Sequence, residues 1–272
     1  MSSLDTGLDF STGRVAAMVR RYWYLLSSSW PRILDLIYWP TVQMLMWGFL
    51  QTYVSQQAGF FAQAAGVFIG SVLLWDILFR GQLGFTFTFL EDIWSRNVAN
   101  LMMSPLTSLE LAASLMLMSL IRLLIGTIPV TILALVLFGF NIYGLGFGLL
   151  AFFVNLVLTG WAIGLIVCGL VIRHGLGAES LAFSVVILLM PLCCVYYPVW
   201  VLPTWLQPVA WMLAPTYVFE GMRGVLLDHV FRMDLAVESL MINLVYLAMG
   251  FASFLFLLRS ARYSGSLLTM GE

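Results

Sequence analysis

Six long stretches of apolar residues run along the chain, separated by short polar or proline-rich segments. A helix needs about 20 apolar residues to cross the ~30 Å hydrocarbon core of a bilayer, whereas a membrane barrel shows alternating segments of about 10 residues. The pattern therefore predicts an all-α integral membrane protein with six transmembrane helices. The predicted spans are residues 34–54, 64–90, 109–140, a fourth ending near Ile172, 180–197 and 238–258.

The amino-acid composition agrees with a membrane protein. Hydrophobic residues make up 62% of the 272 positions and charged residues 9%, whereas soluble domains contain about 25% charged residues. The formal net charge of −1 provides no concentrated basic surface, which argues against nucleic acid as a partner.

The absence of lysine argues against an ATP-binding P-loop in this chain. All 12 basic residues are arginine, and an ATP-binding P-loop needs a lysine to reach the β- and γ-phosphates. If ATP drives this protein, a second chain therefore binds it. His174 and His229 lie far apart, and the three cysteines show no C-x-x-C spacing. We thus expect no metal site and no cofactor in this chain.

The segment before the first span predicts an amphipathic helix over residues 13–30. Apolar positions recur there at helical spacing, and arginines occupy the opposite side. Such a helix is typical of the cytoplasmic headgroup region, and the alternative is a helix that packs on a partner protein. The arginines are Arg14, Arg20 and Arg21.

Three charged residues lie inside the predicted spans, away from their ends. Asp76 and Arg80 lie one helical turn apart in the second span, and Arg122 lies in the third. Charges at membrane depth normally face the bundle interior and pair with one another, and residues at i and i+4 can pair on one helix. Either a structural pair or a role in a substrate path or gate accounts for them.

A charged segment between the second and third spans predicts a short helix over residues 91–103. Apolar residues fall on one face and polar residues on the other. Such a helix, parallel to the membrane, is a handle for a soluble partner, and the alternative is a helix that only rests on the headgroups. Ser104 and Pro105 end it, and Thr107 with Glu110 predicts a capping box at the start of the third span. The polar face comprises Glu91, Asp92, Ser95, Arg96 and Asn100.

Residues 198–230 contain four prolines and two apolar pieces, 204–213 and 216–227. Pieces of 10–14 residues are too short to span and favour re-entrant or interfacial helices. The tryptophans and tyrosines around them are typical of an aromatic belt at the water interface. In the fourth span, Gly160 and Gly164 have a spacing that allows another helix to approach closely.

The distribution of arginines predicts the orientation, because cytoplasmic segments are enriched in them. With the N-terminus inside, the outer segments contain only Arg223 and Arg232. Both termini, the helix at 91–103 and the link at 173–179 are then cytoplasmic. The arginines of the inner segments are Arg14, Arg20, Arg21, Arg32, Arg96, Arg173, Arg259 and Arg262.

Two of these segments carry motifs that resemble those of ABC-2 type transporter permeases. The first is the run from Asn100 to Glu110, which contains Ser104-Pro105-Leu106 and ends on the glutamate. The second lies between spans five and six, and the resemblance covers nearly the whole chain. Its residues are Tyr197-Pro198-Val199, Leu202-Pro203, Trp205-Leu206-Gln207-Pro208, Ala214-Pro215-Thr216-Tyr217, Glu220-Gly221 and Arg223-Gly224.

The resemblance implies a single transmembrane domain over residues 1–272, in the inner membrane of a bacterium. Two copies would work with two ABC ATP-binding subunits that hold the ATP and Mg²⁺, and this chain would contact membrane lipids. The helix at 91–103 would be a coupling helix, and the helix at 13–30 a connector helix. The family expectation is export of a lipid-linked, glycan or amphipathic substrate by alternating access.

The resemblance also adds Tyr197, Glu220 and Arg223 to Asp76, Arg80 and Arg122 as candidates for a substrate path or gate. The acidic turn at Glu91 and Asp92 departs from the version found in many members, so the subfamily and the substrate are not indicated. Two other classes remain as alternatives. A secondary transporter or channel would use the intramembrane charges as an ion or substrate path, and a membrane-embedded enzyme would need polar groups converging on one cavity.

Overall fold

The computed structural model describes residues 10–57 and 66–264, and the regular elements in these ranges are helical. Three single 3₁₀ turns lie between the helices, at Ile142–Leu145, Leu176–Ala178 and Val199–Val201. Most of the predicted loop at 55–63, the start of the predicted second span and the C-terminal tail lie outside the described residues. The helices are α1 Thr12–Ser27, α2 Trp30–Gln57, α3 Val67–Trp94, α4 Val98–Met103, α5 Ser108–Phe138, α6 Phe147–His174, α7 Leu181–Leu192, α8 Gln207–Trp211, α9 Ala214–Leu227 and α10 Met233–Ser264.

Five helices in the described residues, rather than the six predicted, are long and apolar enough to cross a membrane: α2, α3, α5, α6 and α10. The difference lies in the predicted span 180–197, where α7 has 12 residues and is roughly 18 Å long. Cys194 then adopts a left-handed conformation with φ of 54°. Arg223 donates to the carbonyls of Cys194 and Val195, so these backbone groups have partners without a continued helix.

The core is built around α3, and 78% of the most apolar 18-residue stretch of this helix is buried. It packs on α2, α5 and α6, and α6 in turn makes its most extensive contact with α10. Gly160 of α6 lies against the α3 backbone, since an added Cβ would come within 3.0 Å of the Leu78 carbonyl oxygen. The predicted close helix approach at Gly160 therefore occurs between α6 and α3.

The proline-rich part of the chain forms two short helices, α8 and α9, close to the two apolar pieces seen in the sequence. Helix α9 packs against α3, α6 and α10, and most of its first 11 residues are buried. The exposed aromatic side chains in this region include Trp200 and Trp205. The region is thus part of the bundle rather than an open loop.

Candidate functional site

A tight turn divides the segment that the sequence predicts to be one helix over 91–103. Glu91 to Trp94 form the last turn of α3, and α4 begins only at Val98. Between them, Arg96 has a left-handed backbone with φ of 53°, a conformation that costs a non-glycine residue about 1 kcal/mol. The prediction of a single helix is wrong, because one helix ends at Trp94 and the next begins at Val98.

Asp92 is fully buried, whereas the sequence places it on a polar face open to the cytosol. Its carboxylate accepts hydrogen bonds from Arg21 Nη2 at 2.5 Å and from the Tyr22 hydroxyl at 2.7 Å. Asn97 Nδ2 also donates to this carboxylate, at 3.5 Å, and the Asn97 backbone N–H donates to the main-chain carbonyl of Asp92 at 2.9 Å. A buried carboxylate needs such partners, so Asp92 joins α1 to the end of α3 and to the turn.

The Tyr22 hydroxyl on α1 remains a donor to this carboxylate well above neutral pH. Burial, together with the charge of Asp92, raises the pKa of Tyr22 well above its ordinary value. The hydroxyl therefore stays protonated and remains a donor. The sequence places Tyr22 on the apolar face of an amphipathic helix, and its hydrogen bond was not predicted.

Glu91 is also largely shielded, with 14% of its side chain exposed. It accepts a hydrogen bond from Arg122 of α5 at 2.8 Å and lies 4.0 Å from Arg32 at the start of α2. The prediction that Glu91 faces the cytosol is thus wrong in the same way as for Asp92. The prediction that intramembrane charges are paired holds for Arg122, with a carboxylate at the end of α3.

The predicted capping box at the start of α5 is present. Glu110 accepts from the Thr107 N–H at 2.9 Å, and the Thr107 hydroxyl accepts from the Glu110 N–H at 3.2 Å. Glu110 is fully buried and also accepts from Arg14 Nη2 at 2.6 Å and from the Ser11 N–H at 2.7 Å. The cap residue of α5 therefore also fixes the start of α1.

The amphipathic helix itself is confirmed as α1, with Val15, Tyr22 and Leu26 buried. Two of its arginines bind carboxylates of α3 and α5, rather than projecting together towards the headgroups as the sequence predicts. Arg20 is exposed. Buried acidic partners on neighbouring helices are the reason, and spacing along α1 alone does not reveal them.

The exposed surface at this end of the bundle is formed by the turn and by α4. Ser95, Arg96 and Asn100 are exposed, and Met103 is 79% exposed. The opposite side of α4 is held in the core by Val98, which is 3% exposed. The neighbouring link at 173–179 reaches the same end, since Trp94 Nε1 donates to Glu179 at 3.4 Å.

Within the membrane-spanning part, Asp76 and Arg80 form the predicted i, i+4 pair. Arg80 Nε lies 2.8 and 2.9 Å from the two carboxylate oxygens of Asp76. Arg80 and Arg122, from different helices, line the same cavity. The structure thus brings together all three charges that the sequence predicts to be intramembrane.

The remaining candidates stabilise the irregular backbone after α7. Glu220 accepts from the Val199 N–H at 2.7 Å and lies 3.0 Å from Arg223. The Tyr197 hydroxyl donates to the Pro191 carbonyl at 2.7 Å. No hydrogen bond or ion pair joins Tyr197, Glu220 or Arg223 to Asp76 or Arg122 in the described part of the chain. Within that part, no group of three or more His, Cys, Asp or Glu residues is arranged to hold a metal ion.

Comparison with known proteins places this architecture in a family. A search of curated proteins finds no sequence that matches this chain. The family model described as ABC-2 type transporter matches residues 15–227, from α1 to the end of α9. The match covers most of the chain and includes both the turn with α4 and the proline-rich region. The chain therefore belongs to the ABC-2 type transporter family, as a multi-pass membrane permease of an ABC transporter.

Proposed function

We propose that this permease exports an amphipathic, lipid-linked or glycan substrate across the bacterial inner membrane, with α4 and the preceding turn as the docking handle for an ABC ATP-binding subunit. Family membership implies that ATPase partner. The observation that carries the proposal is the exposed side of α4, anchored to the bundle on its other side.

The chemistry of this surface suits a protein partner. Ser95, Arg96 and Asn100 offer polar groups, and Met103 offers an exposed, flexible apolar side chain. Methionine adapts its shape to an opposing surface, and interfaces combine such contacts with a polar rim. We therefore assign the coupling role, which the sequence gives to the whole of 91–103, to the exposed residues Ser95, Arg96, Asn100 and Met103.

The buried ion pairs give this handle a connection to the membrane-spanning helices. Asp92 joins α1 to the turn before α4, and Glu91 joins the end of α3 to Arg122 of α5. Glu110 joins α1 to the start of α5. A displacement of α4 by a partner would thus move α1, α3 and α5 as one unit.

The partner subunits would bind ATP and Mg²⁺, because this chain has no lysine for a P-loop. ATP would bind more tightly to the closed ATPase pair, and this difference in affinity would shift the population towards an outward-facing permease. Two permease chains and two ATPase subunits form the proposed assembly.

The test is to co-purify the permease with an ABC ATP-binding subunit from the same genome and to change the exposed handle. Arg96→Glu combined with Asn100→Asp should weaken binding of the subunit about tenfold and lower stimulated ATPase activity, as expected when interface anchors are lost. Arg96→Gly removes the side chain while retaining a residue that favours the left-handed turn. It therefore separates loss of the contact from loss of the turn.

The matched control is Arg232→Glu, an exposed arginine 54% accessible before α10, which should bind the subunit normally. Normal ATPase binding and transport in the Arg96→Glu, Asn100→Asp variant would show that the handle lies elsewhere. Transport that persists when the partner's P-loop lysine is replaced would instead favour a secondary transporter.

A further inference from the structure

Arg80 and Arg122 line a cavity of about 340 Å³ between α2, α3, α5 and α7. Arg80 is the fourteenth residue of the 28-residue helix α3, so the cavity reaches the middle of a membrane-spanning helix. Charged side chains at this depth are costly to retain and typically mark a ligand or transport path. The ion pairs described above account for only part of what these arginines can bind.

Each arginine has donors that its carboxylate does not use. Arg80 donates to Asp76 only through Nε, and its terminal nitrogens make no hydrogen bond to the described residues. Arg122 donates to Glu91 through Nη2, while its buried Nε has no hydrogen-bond partner among them. A guanidinium presents five N–H donors in a planar fork that fits a carboxylate or phosphate. Two arginines that each have unused donors therefore line one cavity.

The rest of the lining supplies mainly apolar surface, much of it aromatic. Trp39 comes from α2, Phe79 and Phe87 from α3, and Phe183 from α7. Asp35 also borders the cavity but is an exposed residue, so solvent screens its charge, whereas Arg122 is only 6% exposed. Electrostatic interactions are stronger where water is excluded. The donors that Arg80 and Arg122 do not use for Asp76 and Glu91 can thus bind an anion next to an apolar surface.

We propose that this cavity binds the anionic group, a phosphate or a carboxylate, of an amphipathic molecule whose apolar part contacts the aromatic lining. The proposal rests on the transport function proposed above and narrows its substrate to amphiphiles that carry an anion. A membrane phospholipid and a detached amphiphile share this chemistry, and the experiment distinguishes them.

The binding test uses the full-length permease in phosphatidylcholine nanodiscs without the ATPase subunit, and radiolabelled dodecyl phosphate as the probe. Saturable binding is expected, with weak competition by dodecyl maltoside, which lacks the anion, and by inorganic phosphate, which lacks the chain. Competition by phosphatidic acid placed in the nanodisc would assign a lipid source, and its absence a detached amphiphile. Equal competition by dodecyl maltoside would overturn the proposal.

Two double variants remove one cation each without leaving a buried charge unpaired: Asp76→Asn with Arg80→Gln, and Glu91→Gln with Arg122→Gln. Each should weaken dodecyl phosphate binding about tenfold or more, as expected for a lost charge-assisted hydrogen bond. The control, Arg232→Gln with Asp234→Asn, neutralises an exposed pair and should bind normally. Unchanged affinity in both cavity variants would also overturn the proposal.

These measurements test the docking role of α4 and the anion-binding cavity independently of each other. Dodecyl phosphate binding needs no ATPase subunit, so it survives even if α4 is not the docking handle. Coupling between ATP hydrolysis and transport can likewise be intact if the cavity does not select an anion.

Discussion

At the scale of single residues, the Asp92 side chain joins two separate parts of the chain. It is fully buried and binds Arg21, Tyr22 and Asn97. A buried charge is tolerated only when its hydrogen-bonding capacity is used, and here the partners come from two separate parts of the chain. The geometry of α1 and of the turn before α4 thus depends on one carboxylate.

Asp92→Asn should lower the free energy of unfolding by about 2 kcal/mol, because it removes the charge opposite Arg21. This loss of stability is smaller than for a completely buried ion pair, because 34% of the Arg21 side chain is exposed and water can replace the lost partner. Thermal unfolding in detergent measures the loss, and trypsin should cut more rapidly after Arg20 and Arg21.

The control for that change is Asp228→Asn, which removes an exposed carboxylate after α9 and should unfold like the wild type. If Asp92→Asn has wild-type stability and wild-type resistance to trypsin, the buried carboxylate does not hold α1 in place.

At the scale of elements, the start of α5 combines two functions in Glu110. Within α5 it closes the capping box with Thr107, and across helices it binds Arg14 and the Ser11 N–H. Loss of a cap costs about 1 kcal/mol, whereas loss of the ion pair also releases α1. A substitution at Thr107 should therefore affect only the cap of α5, whereas a substitution at Glu110 should also loosen α1.

Thr107→Ala should destabilise the protein by about 1 kcal/mol without loosening α1, and Thr107→Ser should be nearly neutral because the hydroxyl acceptor is retained. Glu110→Ala should lose roughly 2 kcal/mol or more, since the Arg14 guanidinium is left without its buried partner. Thermal unfolding measures all three, and cleavage by trypsin after Arg14 should increase only for Glu110→Ala. Equal cleavage in Thr107→Ala and Glu110→Ala would contradict a separate role in α1 docking.

Sequence periodicity predicts some of these elements well. The apolar spacing around Val15 and Tyr22 identifies α1, and the Thr107–Glu110 spacing identifies the cap of α5, because both depend on neighbours within one helix. The break before α4 is different, since it depends on the left-handed backbone of Arg96 and on contacts with Asp92. Such contacts join distant parts of the chain and leave no local pattern.

Contacts between distant parts of the chain also explain why the predicted fifth span is too long. Its apolar residues continue past Leu192 to Val195, so composition alone does not indicate where α7 ends. Arg223, 29 positions after Cys194, provides the hydrogen bonds that allow the chain to leave the helix. Likewise, the sequence pairs Asp76 with Arg80 through their spacing, but the partner of Arg122 is 31 positions away.

At the scale of the whole molecule, two spanning helices are much less buried than the others. In α2 and in α10, 17% of the most apolar 18-residue stretch is buried, compared with 78% in α3. Their apolar surfaces suit lipid or a second copy of the chain, in agreement with the proposed pair of permeases. Helices α3 and α6 instead form the packed centre; α5 packs on α3, and the ion-paired α1 packs on α5.

The orientation of this assembly can be tested with two introduced cysteines, because the native Cys168, Cys193 and Cys194 are fully buried. Ser28→Cys lies between α1 and α2, and Trp205→Cys replaces a side chain that is 74% exposed between α7 and α10. If arginine-rich segments face the cytoplasm, a membrane-impermeant maleimide should label Trp205→Cys in spheroplasts and Ser28→Cys only in inverted vesicles.

The wild-type chain gives the background labelling in both preparations, which should be low because its thiols are inaccessible. Efficient labelling of Ser28→Cys in intact spheroplasts would place α1 and α4 outside the cell. That result would remove α4 from the reach of any cytoplasmic ATPase, and it would leave the anion-binding cavity open to an independent test.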